Sequence, residues 1–402
     1  MATVLIPKKP ETEELLSVMA EDMQYEIGCS AETFRNTAVD SAMQIRARQT
    51  PCAPAKLGMC GRCAFNCAYC ACRNSSDRQD YLVEPADLAK IAVDVDKKTG
   101  CGVFITSAIY KTPDMTQERI AETVRILRQD MGYTGFLHAK VMPGADPALI
   151  AATGRYANRL SVNIEVAKSD TYARIAKQKS KNTILAPMGE IARQIREAAA
   201  WNRKNDKPAF AVSQTTQLMA GAAGEDDRTI LNLSAALYRK YRLKRVYYTP
   251  FTYRYPSRGY EDLPAMQTPY WRVARLYQAD RLTQLYRFAP EELTPPEAPF
   301  LESDIDPKTA WALRHLDLFP VELNTADYDT LLRIPGIGST YAARIMTARW
   351  YAPLSFDTLR QMKISLKRAR YFVTCGGRFL GDELDPIALR MLFSAPAQLE
   401  MG

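Results

Sequence analysis

The stretch Cys63-Ala-Phe-Asn-Cys67-Ala-Tyr69-Cys70 decides how the rest of this 402-residue chain is read. Three thiolates on one tight loop can hold three irons of a cubane iron–sulfur cluster and leave the fourth iron without a protein ligand. An open metal position is where a small molecule can be bound and activated. With nine cysteines in the chain, three falling on one preset spacing is expected by chance about 0.004 times per chain. Cys60 and Cys72 flank the motif and admit two other readings. One is a structural zinc knuckle on Cys60, Cys63, Cys67 and Cys70, whose two Cys-x-x-Cys pairs are only three residues apart, against ~12–20 in zinc fingers. The other is a ferredoxin-like or structural cluster with Cys60 or Cys72 as the fourth ligand.

Working outward, 47% hydrophobic and 24% charged residues is the composition of an ordinary globular protein, and the length allows two or three domains. No apolar run approaches the ~18 residues of a transmembrane helix. The start, Met1-Ala-Thr-Val-Leu-Ile-Pro7-Lys-Lys-Pro10, is broken by proline too soon for a secretory signal. An odd number of cysteines, five of them between Cys60 and Cys72, argues for metal ligation in a reducing compartment and against a disulfide framework. The expectation is a cytoplasmic protein without a membrane partner. The net charge of +8 is unevenly spread: Asn324 to Leu380 holds nine Lys/Arg against three Asp/Glu. A localised basic face of this kind suggests a polyanionic partner.

The first ~50 residues carry helical spacing and read as a helical extension (1–50). From residue 51 short apolar runs alternate with longer amphipathic ones. Strand candidates are Ala55–Met59, Val103–Ile109, Phe136–Met142, Leu160–Val166, Ala209–Ala220 and Arg245–Phe251. Helix candidates between them are Glu84–Lys97, Thr116–Met131, Asp146–Ala157, Met188–Arg203 and Asp227–Tyr241. This order implies parallel strands joined by crossovers. Six units are too few for a closed eight-stranded barrel, so the fold class expected over 51–290 is α/β, a partial (β/α)6 barrel. The Pro-rich stretch Pro290 to Pro299 marks a linker (291–305), and a small all-α domain (306–402) follows.

The cysteine spacing, with Tyr69 just before the last thiol, resembles the signature of the radical S-adenosylmethionine (SAM) enzymes. That resemblance implies a 4Fe–4S cluster on Cys63, Cys67 and Cys70, with SAM on the open iron and reductive cleavage of SAM to a 5′-deoxyadenosyl radical. A cluster loop after the first strand is where that fold carries it. Gln217-Leu-Met-Ala-Gly221-Ala-Ala-Gly224-Glu225 resembles the superfamily's Gly-x-x-Gly-Glu turn, so Gly221, Gly224 and Glu225 are candidate SAM contacts beside the alternative of an ordinary βα turn. On the fourth strand Ser161, Asn163 and Glu165 alternate with apolar residues and share one face. Asn163 and Glu165 are therefore candidate cofactor contacts, or a polar network filling the barrel. Where the superfamily carries Gly-Gly-Glu after the second strand, this chain has Ile105-Thr-Ser107-Ala, and Ser107 would have to serve the SAM amino group. His138 and Lys140 on the third strand are catalytic candidates, against a structural histidine. His315 is expected to pack between domains.

Leu331-Leu-Arg-Ile-Pro335-Gly336-Ile337-Gly338-Ser339-Thr-Tyr-Ala-Ala-Arg344 resembles the helix-hairpin-helix element of DNA repair proteins. Pro335 ends a helix, two glycines allow a tight turn, and the next helix opens with amides able to hold a phosphate. Candidate DNA contacts are Gly336, Ile337, Gly338, Ser339, Arg344 and Lys367, with Arg349, Lys363, Arg368 and Arg370 extending the footprint. An αα-hairpin used only for packing is the alternative. The aromatics Trp350, Tyr351, Phe356, Tyr371 and Phe372 read as core.

Nearly the whole chain resembles one radical SAM family of DNA modification/repair proteins associated with a uracil-DNA-glycosylase-like partner. The matching stretches include Tyr25–Cys29, the cluster with its Arg73-Asn-Ser-Ser-Asp77 tail, Gly135–Lys140, Leu160–Glu165, Leu243–Tyr248, Leu276–Asp280, Ala310–Arg314 and the hairpin. The resemblance implies a radical SAM enzyme acting on DNA by nucleotide modification or lesion repair, served by an electron donor such as flavodoxin or ferredoxin. RNA modification by the same chemistry and a non-catalytic DNA-binding protein with a structural cluster are the other readings.

Overall fold

The computed structural model describes residues 53–75, 80–253, 260–261, 266–382 and 385–394. The helical extension expected over 1–50, the stretch Tyr25–Cys29, and Ser76 and Asp77 lie outside the described residues. Among the described residues no helix is long and apolar enough to cross a membrane.

Six strands, β1 (Ala55–Gly58), β2 (Val103–Thr106), β3 (Leu137–Lys140), β4 (Arg159–Ser161), β5 (Ser213–Ala220) and β6 (Arg245–Pro250), form one sheet in sequence order. Every neighbouring pair is parallel. The sheet curls into the half-barrel expected from the βα alternation. β2 reads Val-Phe-Ile-Thr with all four residues buried, as a parallel strand covered on both faces requires. Between the strands run α1 (Pro85–Thr99), α2 (Pro113–Arg125), α3 (Pro147–Gly154), the short α4 (Thr171–Ile175), α5 (Lys181–Asn202) and α6 (Asp227–Tyr241). The first three open on proline, where the missing N–H removes no helical bond. Because all six strands are parallel, their carboxyl ends lie on one rim, and the loops leaving that rim are where a barrel builds its site.

Two boundaries differ from expectation for identifiable reasons. The fourth strand was expected to run to Val166 but closes at Ser161. Beyond it Glu165 adopts a left-handed backbone (φ 63), and the Ile164 amide donates to the Thr216 hydroxyl (2.9 Å) in place of a main-chain carbonyl. Glu165 then rejoins β5, its amide on the Gln217 carbonyl (3.0 Å) and its carbonyl accepting from Met219 (2.8 Å). Asn163 and Glu165 thus stand beyond the strand, and simple alternation does not set their direction. Helix α5 begins at Lys181, before the expected Met188, with Ser180 and Thr183 capping each other and Pro187 inside the helix.

The described residues divide into two compact units, one within Met1–Glu225 and Ala236–Thr268, the other within Asp226–Ala235 and Pro269–Gly402. The second unit is helical: α7 (Tyr270–Leu285), α8 (Pro290–Leu293), α9 (Pro307–Arg314), α10 (Tyr328–Arg333), α11 (Ser339–Tyr351), α12 (Phe356–Gln361), α13 (Leu366–Ala369) and α14 (Pro386–Phe393). A small sheet of order β9-β8-β7 joins them, from β7 (Val321–Glu322), β8 (Val373–Cys375) and β9 (Arg378–Phe379). The segment expected as a linker over 291–305 packs inside this unit through buried Leu293, Leu301 and Ile305. His315 stacks on Trp311 at 4.5 Å within the same unit. Phe356, Tyr371 and Phe372 are core residues as expected, whereas Trp350 and Tyr351 are exposed.

Candidate functional site

The loop carrying the three cysteines leaves the carboxyl end of β1 and is tied down along its length. The Cys63 amide donates to the Cys72 carbonyl (2.7 Å), the Ala64 amide to the Ile109 carbonyl after β2 (2.7 Å), and the Ala68 amide to the Ile175 carbonyl in α4 (2.8 Å). Three backbone segments therefore fix where the thiols stand. The Cys63 sulfur accepts from the amides of Ile109 (3.3 Å) and Phe65 (3.4 Å), bonds of the kind that tune cluster thiolates. Burial and the neighbouring Cys70 push the Cys63 thiol up to about 12. Burial likewise raises Cys67, against the pull of the Lys179 ammonium. Cys70 is shifted the other way, chiefly because the Cys72 thiol hydrogen-bonds to it. A bound cation deprotonates coordinating thiols outright, whatever their shifts in its absence.

The three sulfurs suit a soft, thiophilic centre. Among the described residues no group of three or more His, Cys, Asp and Glu side chains is already gathered as a ligand set, so the thiols would turn from their present partners to take a metal. Cys60 is buried with its thiol donating to the Arg62 carbonyl (3.1 Å). Cys72 lies against Cys70. Cys101 is disulfide-bonded, a pairing that the reading of the cysteines as metal ligands in a reducing compartment does not include.

Beside Cys67 sits an ion pair that the sequence did not announce. Lys179 Nζ lies 2.9 Å from Glu165 Oε1, with the two side chains 10% and 8% exposed. The ammonium also donates to the Tyr69 hydroxyl (3.1 Å). Burial alone would draw the lysine down, but Glu165, Tyr69 and Cys67 together hold it well above its ordinary value. Lys179 belongs to the run Lys177-Gln-Lys179-Ser-Lys181, which reads as a solvated charge run. The contact to Tyr69 places it next to the aromatic that the cysteine spacing singled out.

A second feature crosses the rim from strand to strand. Lys140 Nζ donates to Asn163 Oδ1 (2.7 Å), Asn163 Nδ2 to Gln217 Oε1 (2.8 Å), and Gln217 Nε2 to Thr249 Oγ1 (2.6 Å). Gln217 and Thr249 were not among the candidates, although each is a polar residue near the carboxyl end of its strand. One rung deeper, His138 is buried, stacks on Phe104 at 3.9 Å and shares a hydrogen bond with Ser161 (2.9 Å). Burial, with Arg159, Lys140 and Lys56 nearby, holds the imidazole well below its ordinary pKa. It is a neutral hydrogen-bonding ring packed on an aromatic. Proton exchange near neutrality does not follow from that environment.

The glycine turn after β5 has Gly221 (φ 88) and Gly224 (φ 63) in left-handed conformation. Glu225 is buried, and its two carboxylate oxygens accept from the amides of Gly221 (2.6 Å) and Ala223 (2.7 Å). That carboxylate shapes the turn. The Ser107 hydroxyl donates to the Ala108 carbonyl (2.6 Å) at the end of β2.

In the second unit α10 stops at Arg333 and α11 opens at Ser339, with Gly338 as its N-cap. Gly336 takes φ 84, and a Cβ there would meet Ala369 N and Arg368 Cβ at 3.3 Å. Ile337 is buried, its amide spent on the Ile334 carbonyl (3.1 Å). The amides left without intrahelical acceptors are those of the first turn of α11. Beneath the turn Lys308 Nζ donates to the Ile337 carbonyl (2.5 Å). Arg344, Lys363, Lys367 and Arg370 are exposed. Arg349 is instead turned inward, donating to the Leu323 carbonyl (2.9 Å) and the Ala326 carbonyl (2.5 Å). Arg368 pairs with Asp306 (2.6 Å).

No family model and no curated protein matches this sequence. Among solved structures the chain is similar to HydG, a maturase of the FeFe-hydrogenase, at 12% identity and a TM-score of 0.42, over 68% of this chain and 62% of that one. It is also similar to TsrM from Kitasatospora setae, a radical S-adenosylmethionine methyltransferase solved with cobalamin and a 4Fe–4S cluster. There the identity is 12% and the TM-score 0.35, over 53% of this chain and 39% of that one. The chain thus spans less than two thirds of either protein's length.

Proposed function

We infer that this chain is a radical SAM enzyme that binds nucleic acid through its C-terminal unit and acts on DNA. The observation that carries the chemistry is the placement of Cys63, Cys67 and Cys70 on one anchored loop at the carboxyl rim of a six-stranded parallel partial barrel. These three thiols would hold a 4Fe–4S cluster and leave SAM the fourth iron, while the Cys60 thiol is turned to the Arg62 carbonyl. Once bound, cluster and SAM supply a one-electron cleavage that yields a carbon radical able to take an unactivated hydrogen.

The remaining steps fall to the chain itself. Lys179, fixed by Glu165, sets a positive charge beside Cys67 and offsets the negative charge of ligating thiolates. The row from Lys140 to Thr249 offers oriented polar groups to a substrate at the rim. Tyr172 and Glu225 hold the surrounding turns, through the Ile164 carbonyl and the Gly221 amide.

The basic surplus of Asn324 to Leu380 and the turn between α10 and α11 support nucleic acid as the target. Contacts of that kind are to phosphates and carry affinity without sequence readout. A base would have to be flipped or unpaired to reach a barrel rim. A flavodoxin or ferredoxin as electron donor, a glycosylase-like partner and a cytoplasmic location complete the proposal.

The test is anaerobic reconstitution with iron and sulfide, reduction, and addition of SAM with and without DNA, reading 5′-deoxyadenosine and DNA products by mass spectrometry. The wild-type chain should give 5′-deoxyadenosine and Cys67→Ala none, while DNA affinity changes less than twofold. Wild-type protein that carries the cluster yet yields no 5′-deoxyadenosine with DNA present would overturn the enzyme reading. Product on structured RNA alone would replace DNA as the substrate.

A further inference from the structure

Aromatic side chains of the C-terminal unit range from interior to half-exposed: Trp311 is 3% exposed and Phe372 0%, while Tyr270 stands at 47% and Phe300 at 54%. Trp350 and Tyr351, adjacent on the last turn of α11, are 86% and 83% exposed. A single half-exposed aromatic is ordinary, but two adjacent rings left almost wholly in water, more exposed than any other aromatic among the described residues of the unit, mark a contact surface. With Met346 and Thr347 they line a shallow cavity of about 260 Å³.

The chemistry around them selects the occupant. The segment has a surplus of six positive charges, which opposes an acid-poor, apolar protein face and favours a polyanion. Arg344 is exposed and lies seven residues before Tyr351, two helical turns back on the same side of α11. At its other end the same helix opens at the Gly336–Gly338 turn, ~18 Å away for thirteen residues. One helix thus presents backbone amides at one end and two free ring faces at the other.

We propose that Trp350 and Tyr351 form a stacking platform for unpaired bases, so that the C-terminal unit prefers nucleic acid with a locally open or single-stranded region to intact duplex. The inference rests on the nucleic-acid reading above and adds to it the form of the ligand. Stacking on an aromatic face is indifferent to base identity, because every base has a π-face. It would act together with phosphate contacts and a positively charged groove, the combination that holds single strands.

The full chain is tested by fluorescence anisotropy on three probes of equal length: a duplex, the same duplex with two unpaired central nucleotides, and a thymine oligonucleotide. Wild type should favour the probes with unpaired bases. Trp350→Ala/Tyr351→Ala should lose about tenfold or more on those probes and less than twofold on the duplex, and Trp350→Phe/Tyr351→Phe should recover most of the loss. Gly336→Val/Gly338→Val should weaken all three probes together. The platform is overturned if the alanine variant loses equally on all probes or on none. It is also overturned if that variant changes the sedimentation of the protein alone, which would assign the pair to self-association. Wild-type failure on every probe would sink the nucleic-acid reading itself.

Discussion

Replacing Lys308 by methionine should make the C-terminal unit more stable at low pH and abolish part of its pH dependence. The lysine is 8% exposed, bonded to the Ile337 carbonyl and 5.0 Å over the Tyr286 ring. Burial draws its pKa from 10.5 down to about 7, and Asp306 opposes this only in part. At about 1.4 kcal/mol per pH unit, that fall corresponds to ~5 kcal/mol by which the charged form destabilises the native state. Between pH 7 and 10.5 the unfolded chain binds this proton more fully than the folded chain, so stability rises with pH through the window and levels off below it.

Methionine keeps the stem and drops the charge, at a loss of about 1 kcal/mol for the bond to Ile337. Urea unfolding followed by tryptophan fluorescence at pH 6.5, 8 and 10 reads the difference. The variant should exceed wild type by several kcal/mol at pH 6.5 and fall level with it near pH 10. Identical pH slopes in the two proteins would refute the reasoning, since they would mean that Lys308 keeps its proton on folding.

Three further outcomes follow. Lys179→Met strands the Glu165 carboxylate in the interior and should cost ~3–5 kcal/mol; adding Glu165→Gln should recover most of it, and a single variant as stable as wild type would show the pair to be hydrated. His138, held well below its ordinary pKa, should show ring proton resonances that do not titrate between pH 5.5 and 8, whereas a midpoint near 6.5 would contradict its burial. Gly336→Val/Gly338→Val places one side chain in a left-handed backbone and the other against Tyr286 Oη, 2.9 Å from the new Cβ. It should lower DNA affinity about tenfold while leaving SAM cleavage intact, and retained affinity would remove the turn from the binding surface.

The βα alternation was legible because its signal is local: Val103–Ile105 is an unbroken apolar run closed by Thr106, and Asp227–Tyr241 keeps helical period from end to end. What the sequence hid was pairing at a distance. Nothing distinguishes Lys179 from Lys177 or Lys181 until the chain between β4 and α5 brings one of the three beside Tyr69. Glu165 looked like the third member of an alternating row, but its left-handed backbone is imposed by hydrogen bonds to β5, more than fifty residues on. The exposed pair Trp350 and Tyr351 departs from the expected core position for the opposite reason. Aromatic residues at helical spacing usually face a core, and composition cannot tell a buried ring from one held in water.

The chain of bonds from Lys140 to Thr249 has a direction. An ammonium can only donate, so Asn163 must offer its oxygen to Lys140 and its nitrogen to Gln217, which passes the same polarity on to Thr249. The amide orientations of two uncharged residues, free to flip in isolation, are thereby set by one charge at the end of the row. A glutamate in place of Lys140 would reverse every link and turn Thr249 from acceptor to donor, three strand spacings or ~14 Å away. The rim of the sheet therefore behaves as a line of coupled dipoles, whose far end reports what stands at the near one.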